Sequence, residues 1–230
     1  MTVVSPLLLR LAAEAATGAL LRDHGTLHLV DGRVVHAESP VAPGLDVLLT
    51  AGGRLPPDRR LGDGELEICR LGALFDAAFF ALTPGSGPTR FRYGPVERPG
   101  PLPPVRPVPL ADVERETRRR RELLDGVWPY PAVDTAPVVA RPAAPGQTVT
   151  LRQRALLAYA DGTRTPTELA RALGRPAFHT LLEVRRLAAA GLIATPLEPA
   201  PSPPRWMPPT VPDPDTALLH RLRDALEAHL

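Results

Sequence analysis

The sequence has no lysine, no asparagine, one cysteine and few aromatics: all 27 cationic side chains are arginine, and Phe, Trp and Tyr make up 4% of 230 residues. With Cys69 alone, the chain can form neither an intramolecular disulfide nor a cysteine-cluster zinc site. Set among Leu66, Ile68 and Leu71, Cys69 reads as a small buried hydrophobe. Long apolar runs are missing too. Pro6 to Leu21 is apolar in tone yet carries Arg10 and Glu14, which is not a membrane span, and the N-terminus lacks a secretory pattern. A soluble cytoplasmic protein with no membrane partner is therefore expected.

Signatures of catalysis are equally scarce. Ser86 lies in Gly-Ser-Gly without the strand and spacing of a nucleophile elbow. No phosphate-cradling loop, dinucleotide fingerprint or His-Glu-x-x-His spacing occurs, and no carboxylate pair is placed to share a cleft. His28 and His36 are positioned to meet across a hairpin with Glu38 nearby, which is the ordinary pattern of solvent-facing strand histidines. No catalytic residue, cofactor or metal is assigned, and the chain reads as non-enzymatic.

What is abundant is proline. Of thirty prolines, twelve fall from Pro95 to Pro145 and nine from Pro196 to Pro214, the composition of extended linkers. They divide an α+β chain into four parts. Residues 1–96 read as a small α/β domain with an antiparallel β meander. Residues 97–146 form a Pro-rich linker with one Arg-rich helix, residues 147–195 an all-α winged-helix-like domain, and residues 196–230 a Pro-rich tether and amphipathic helix.

The N-terminal part predicts a helix over Pro6–Ala16, then strands over Ala19–Arg22, Thr26–Val30 and Arg33–Glu38. Asp31-Gly32 between the last two strands is a strong two-residue hairpin signal, since both positions need positive φ. A helix over Leu45–Thr50, a longer one over Glu65–Leu82 and an edge strand over Arg90–Tyr93 follow. The segments Ala16–Leu21, Gly25–Ser39, Gly44–Leu49, Leu74–Leu82 and Arg90–Gly94 carry a resemblance to the PatA-like N-terminal domain family, a bacterial regulatory module. That resemblance implies partner docking or regulation and transfers no functional residue.

In the linker a helix is expected over Leu110–Leu124. Its run Arg118–Arg121 reads as a solvated face, because Glu114→Arg118 and Glu116→Arg120 have ion-pair spacing. Trp128 and Tyr130 are expected to pin the linker to a domain.

Leu151–Ile193 reads as three helices. Leu151, Ala155, Ala158 and Tyr159 share one face at helical spacing. Thr165, Pro166 and Glu168 make a capping box ahead of Leu169, Ala172 and Leu173. A third helix carries Phe178, Leu181, Val184, Leu187 and Ala188. Two short helices, a tight turn and a longer third helix resemble a winged helix of the small kind ending in Gly-Leu-Ile, here Gly191–Ile193.

The resemblance implies a DNA-binding transcriptional regulator. Arg175, His179, Thr180 and Arg186 would face the major groove with Arg185 assisting, and Arg152, Arg154 and Arg164 would contact phosphates. Seven arginines against three acids make this module locally basic although formal net charge is only +2. The alternative is a signalling adaptor in which the module docks proteins and no DNA is bound. Glu183 mid-face on the third helix, a wing cut short by Pro196 and the near-neutral charge favour it. A small-molecule sensor using the N-terminal domain as a pocket is the third option. At the C-terminus, Asp213 and Pro214 start a helix whose stripe, Leu218, Leu219, Leu222 and Leu226, is expected to dock on the chain itself, a second copy or a protein partner.

Overall fold

An Asp-Gly turn starts the sheet. Asp31 and Gly32 take φ of 50° and 71°, the two-residue hairpin geometry that matches strand twist. A β-carbon on Gly32 would lie 2.8 Å from the Ala12 carbonyl oxygen, so the turn is also where the first helix closes on the hairpin. The computed structural model describes residues 5–50, 62–96 and 106–195. The elements run α1 (Pro6–Ala13), β1 (Gly18–Arg22), β2 (Gly25–Val30), β3 (Arg33–Glu38), α2 (Leu45–Thr50), α3 (Asp63–Ala81) and β4 (Arg90–Tyr93). After them come β5 (Val108–Pro109), α4 (Leu110–Val127), α5 (Ala132–Thr135) and β6 (Val139–Ala140). The last are α6 (Leu151–Leu157), α7 (Pro166–Ala172), α8 (Ala177–Ala189) and β7 (Ile193–Ala194).

Five antiparallel strands form one sheet in the order β4-β1-β2-β3-β5. A bulge shifts the β2–β3 register between His28 and Leu29. One extra residue on β3 lets both Leu27↔Ala37 and Leu29↔Val34 bury on the same face. Helices α1, α3 and α4 cover that face, where Leu8, Leu11, Leu20, Leu74, Ala78 and Val113 complete the core.

The Pro-rich region 97–146, expected to be a linker with one helix, contributes more structure than that. Val108 and Pro109 add an edge strand, and α4 extends three residues past the expected end. Leu110 and Val113 of α4 enter the sheet core. Leu124, four helical turns on, packs with Phe79 of α3 and with Phe178, Leu181 and Leu182 of α8. A third cluster joins Val133, Val138, Leu156, Leu169, Val184, Leu187 and Ile193, with Trp128 against it. Residues through Pro196 accordingly form one compact unit. Trp128 does anchor the chain, while Tyr130 remains exposed with its ring edge-on at 5.1 Å.

One expectation, the burial of Cys69, requires correction. On α6 the spaced face turns outward: Leu156 and Ala160 are buried, whereas Leu151 is 78% exposed and Tyr159 also faces out. A capping box between Thr150 and Gln153 sets the start of this two-turn helix, and the larger leucines nearer its C-terminus take the core positions. Cys69 is only partly buried. The tether over 196–214 and the helix bearing Leu218, Leu219, Leu222 and Leu226 lie outside the described residues.

Because Leu124 ties α4 to both α3 and α8, the described residues should unfold together. Leu124→Ala should lower stability by about 3 kcal/mol with a single urea transition reported alike by far-UV dichroism and Trp128 fluorescence. Two separated transitions would show that the halves fold independently.

Candidate functional site

The third helix begins at a buried carboxylate. Asp76 of α3 is 1% exposed, and its two oxygens accept the backbone N–H groups of Ala177 and Phe178 at 2.7 and 2.8 Å. Pro176 precedes α8 and supplies no capping side chain, so Asp76 satisfies donors that a helix start leaves open. The helix dipole favours the negative charge there. Burial nonetheless dominates and holds the Asp76 carboxyl above its ordinary value.

Arg120 completes the arrangement from α4. Its Nε donates to Glu116 at 2.8 Å and its Nη1 to the Phe75 carbonyl at 3.0 Å. The guanidinium lies 3.9 Å from Asp76 and 4.6 Å from the centre of the Phe178 ring, a cation–π contact in a desolvated setting. One arginine thus touches α3 and α8 at once. The Arg118–Arg121 run is therefore not simply a solvated face. Glu116 does pair with Arg120 and also holds Arg119 through two bonds at 2.7 and 2.8 Å. Hydrogen bonding to Arg119, followed by that to Arg120, holds the Glu116 pKa down to about 2. Glu114 instead accepts from the Ser5 backbone at 2.9 Å.

The residues expected to face DNA divide into three groups. Arg152, Arg154, His179 and Arg186 are exposed, with Arg186 lying 3.7 Å from Glu183. Arg164 and Arg175 are half-buried. Arg164 bonds Asp161 at 2.6 Å, and Arg175 donates to the Arg152 carbonyl at 3.3 Å. Thr180 and Arg185 correct the expectation, because both face inward. The Thr180 hydroxyl donates to the Pro176 carbonyl at 3.1 Å. Arg185 is 3% exposed and donates to Asp134 at 2.8 Å, to Asp125 at 3.2 Å and to the Trp128 carbonyl at 2.7 Å. The reason is that α8 is apolar on two sides: Val184 and Leu187 face the α6–α7 cluster, while Phe178, Leu181 and Leu182 face α3 and α4.

Beside this junction lies a cleft of about 590 Å³, lined by residues of α3, α4, α5 and α8. Phe79, Phe80, Leu124 and Leu181 form apolar wall, and Arg121 and Arg185 bring guanidinium groups to it. Arg121 donates to the Leu82 carbonyl at 2.6 Å, and Arg22 reaches the same oxygen at 3.3 Å. That carbonyl sits at the C-terminus of the 19-residue α3, where cations complement the helix dipole. Burial, and then repulsion from Arg22, hold the Arg121 pKa below its ordinary value. Residues 79–185 are too far apart in sequence for local spacing to reveal such a cleft.

On the sheet, His28 and His36 do meet, with ring centres 5.5 Å apart. Their Nε2 atoms lie 3.4 and 3.2 Å from the same Glu38 oxygen. Among the described residues no group of three His, Cys, Asp or Glu side chains converges to hold a metal.

The chain matches no protein-family model, no curated protein and no solved structure.

Removing the carboxylate at α8 should be costly. Asp76→Ala strands two buried N–H groups and takes one of two carboxylates from beside Arg120, so a loss of about 3 kcal/mol is expected in urea unfolding. Asp76→Asn, which retains one acceptor oxygen, should lose less. Equal stability of all three proteins would refute this role. For His36, burial lowers the pKa, Glu38 raises it, and His28 and Arg70 lower it, with burial prevailing. An NMR titration should place His36 below the ordinary 6.5, and Glu38→Gln should move it further down. A depressed histidine pKa means that its contribution to stability is complete above the unfolded value and falls as pH drops through the folded one. A His36 midpoint at or above the ordinary value would overturn the assignment.

Proposed function

We propose that this protein is a regulatory adaptor whose C-terminal helical module docks a protein partner and does not read DNA. The observation that carries the reading is the enclosure of α8. A recognition helix meets base edges with its N-terminal residues. Here the first two N–H groups of α8 are occupied by Asp76, Thr180 bonds back to Pro176, and Phe178, Leu181 and Leu182 pack on α3 and α4. Entry into a groove would require that packing to come apart. The order of two short helices, a longer third helix and the short strand β7 supports a winged-helix-like reading of residues 147–195, and such modules also serve as protein-docking units. The N-terminal half, read as PatA-like, would supply the regulatory input.

A docking surface is present on the same module. Leu151, Ala155, Ala158 and Tyr159 have helical spacing, yet Leu151, Ala158 and Tyr159 face out and Ala155 is only half-buried. Arg152 and Arg154 flank this stripe, and neither has a carboxylate within ion-pair distance among the described residues. An apolar stripe bordered by free guanidinium groups suits an acidic amphipathic segment of a partner. The exposed Arg152, Arg154, His179 and Arg186 are what support the competing DNA-binding reading.

Fluorescence anisotropy with mixed DNA fragments, at low and near-physiological salt, separates the two. The adaptor reading expects no salt-sensitive binding that depends on Arg175 and Arg186. Steep salt-sensitive binding abolished in the Arg175→Ala/Arg186→Ala double variant would overturn it. A protein partner retained by the wild type should also be retained by that double variant and released by Leu151→Asp.

A further inference from the structure

We infer that the cleft between α3, α4, α5 and α8 binds a small amphipathic anion, a carboxylate carrying an apolar chain or ring. Its volume of about 590 Å³ lies within the range of small-molecule sites, roughly 300–1,000 Å³, which favour junctions between structural units. The walls are apolar where Phe79, Phe80, Leu124 and Leu181 meet, so they suit a hydrocarbon or aromatic body.

Charge selects the head group. The cleft has two guanidinium groups and two carboxylates, Arg121, Arg185, Asp125 and Asp134, with His24 also lining it. Arg185 is fully engaged: both carboxylates and the Trp128 carbonyl accept from it. Arg121 is the other cation. Asp125 attracts it from beyond ion-pair distance, its guanidinium lies 6.0 Å from the centre of the Phe79 ring, and it donates to the Leu82 carbonyl. A guanidinium has five N–H donors, so Arg121 retains donors for a ligand oxygen. Arg22, converging on the same carbonyl, adds a second positive charge on that side. A cationic ligand would be repelled there, a neutral one would leave the donors without a charged acceptor, and a carboxylate is matched by both charge and planar geometry.

The test uses the full chain and three probes sharing one tail, each kept below its micelle concentration: decanoate, 1-decanol and decyltrimethylammonium. Isothermal titration should give one decanoate per chain, at least about 10-fold tighter than decanol, a difference of about 1.4 kcal/mol. The ammonium probe should bind most weakly. Arg121→Gln, which removes the guanidinium and its charge, should bring decanoate to the level of decanol. Thr135→Trp, at an exposed position lining the cleft, should weaken decanoate and decanol alike. Arg119→Gln, on the exposed side of α4, should change nothing. Decanoate binding no tighter than decanol, binding undiminished in Arg121→Gln, or preference for the cation would each overturn the inference, as would no binding at all. If Arg121→Gln fails to fold by circular dichroism, the wild-type probe series and Thr135→Trp decide the matter. These outcomes are independent of whether the chain binds DNA or a protein.

Discussion

Burying a carboxylate beside apolar side chains is unfavourable unless its oxygens are paired, and Asp76 meets that requirement with groups drawn from two other helices. Its partners are the first two N–H groups of α8 and, slightly further off, the guanidinium of Arg120 on α4. Each is itself buried or at a helix end that lacks a local cap. Asp76 needs donors, α8 needs an acceptor because Pro176 offers no side-chain oxygen, and Arg120, already paired with Glu116, adds positive charge beside Asp76 in a site it enters to stack on Phe178. Remove Asp76 and the start of α8 is left without an acceptor. This constraint, more than the surrounding apolar contacts, fixes where the C-terminal helices meet the sheet-bearing part, because apolar packing tolerates sliding and a bidentate helix cap does not.

Arginine is the sole cation of the chain, and its distribution explains why a computed pI of about 9.2 says little about nucleic acid. Arg120 and Arg185 are structural, each holding elements distant in sequence. Arg22 and Arg121 terminate α3. Arg119, Arg164 and Arg186 lie beside local carboxylates. Arg152 and Arg154 remain exposed on the C-terminal module, beside the outward stripe of α6. Guanidinium groups suit the buried roles because they stay charged, donate in several directions and stack on aromatic rings.

Local features of the fold were legible. The Asp31-Gly32 turn, the Thr165–Glu168 capping box and the apolar stripe of α8 all depend on neighbours within a few residues, and the structure follows them closely. What was not legible depends on long-range pairing. An apolar stripe indicates one inward face, so Thr180 and Arg185 read as outward; nothing local reveals a second covered face or an Asp134 lying 51 residues from Arg185. The two-residue strands β5 and β6 and the four-residue α5 are too short to register as periodicity. One signal for the site was present: Asp76 is a lone carboxylate within Leu74, Phe75, Ala77, Ala78 and Phe79, and an acid in an apolar stripe must find donors from elsewhere. Four consecutive arginines on one helix were a second, since a helix spreads them around its circumference and one must approach the core.

The cleft and the enclosed helix share parts, and that relation sets the direction of any coupling between them. Leu181 and Arg185 of α8, Leu124 of α4 and Phe79 of α3 line the cleft while also holding α8 in place. A ligand seated there contacts these helices only while they are packed together. By linkage, a ligand that binds one arrangement better stabilises that arrangement by RT ln(1 + [L]/Kd). A ligand bound in the cleft would therefore oppose release of α8. A carboxylate ligand would thus act in the same sense as Asp76, and a conformation with α8 exposed would be favoured only when the cleft is empty.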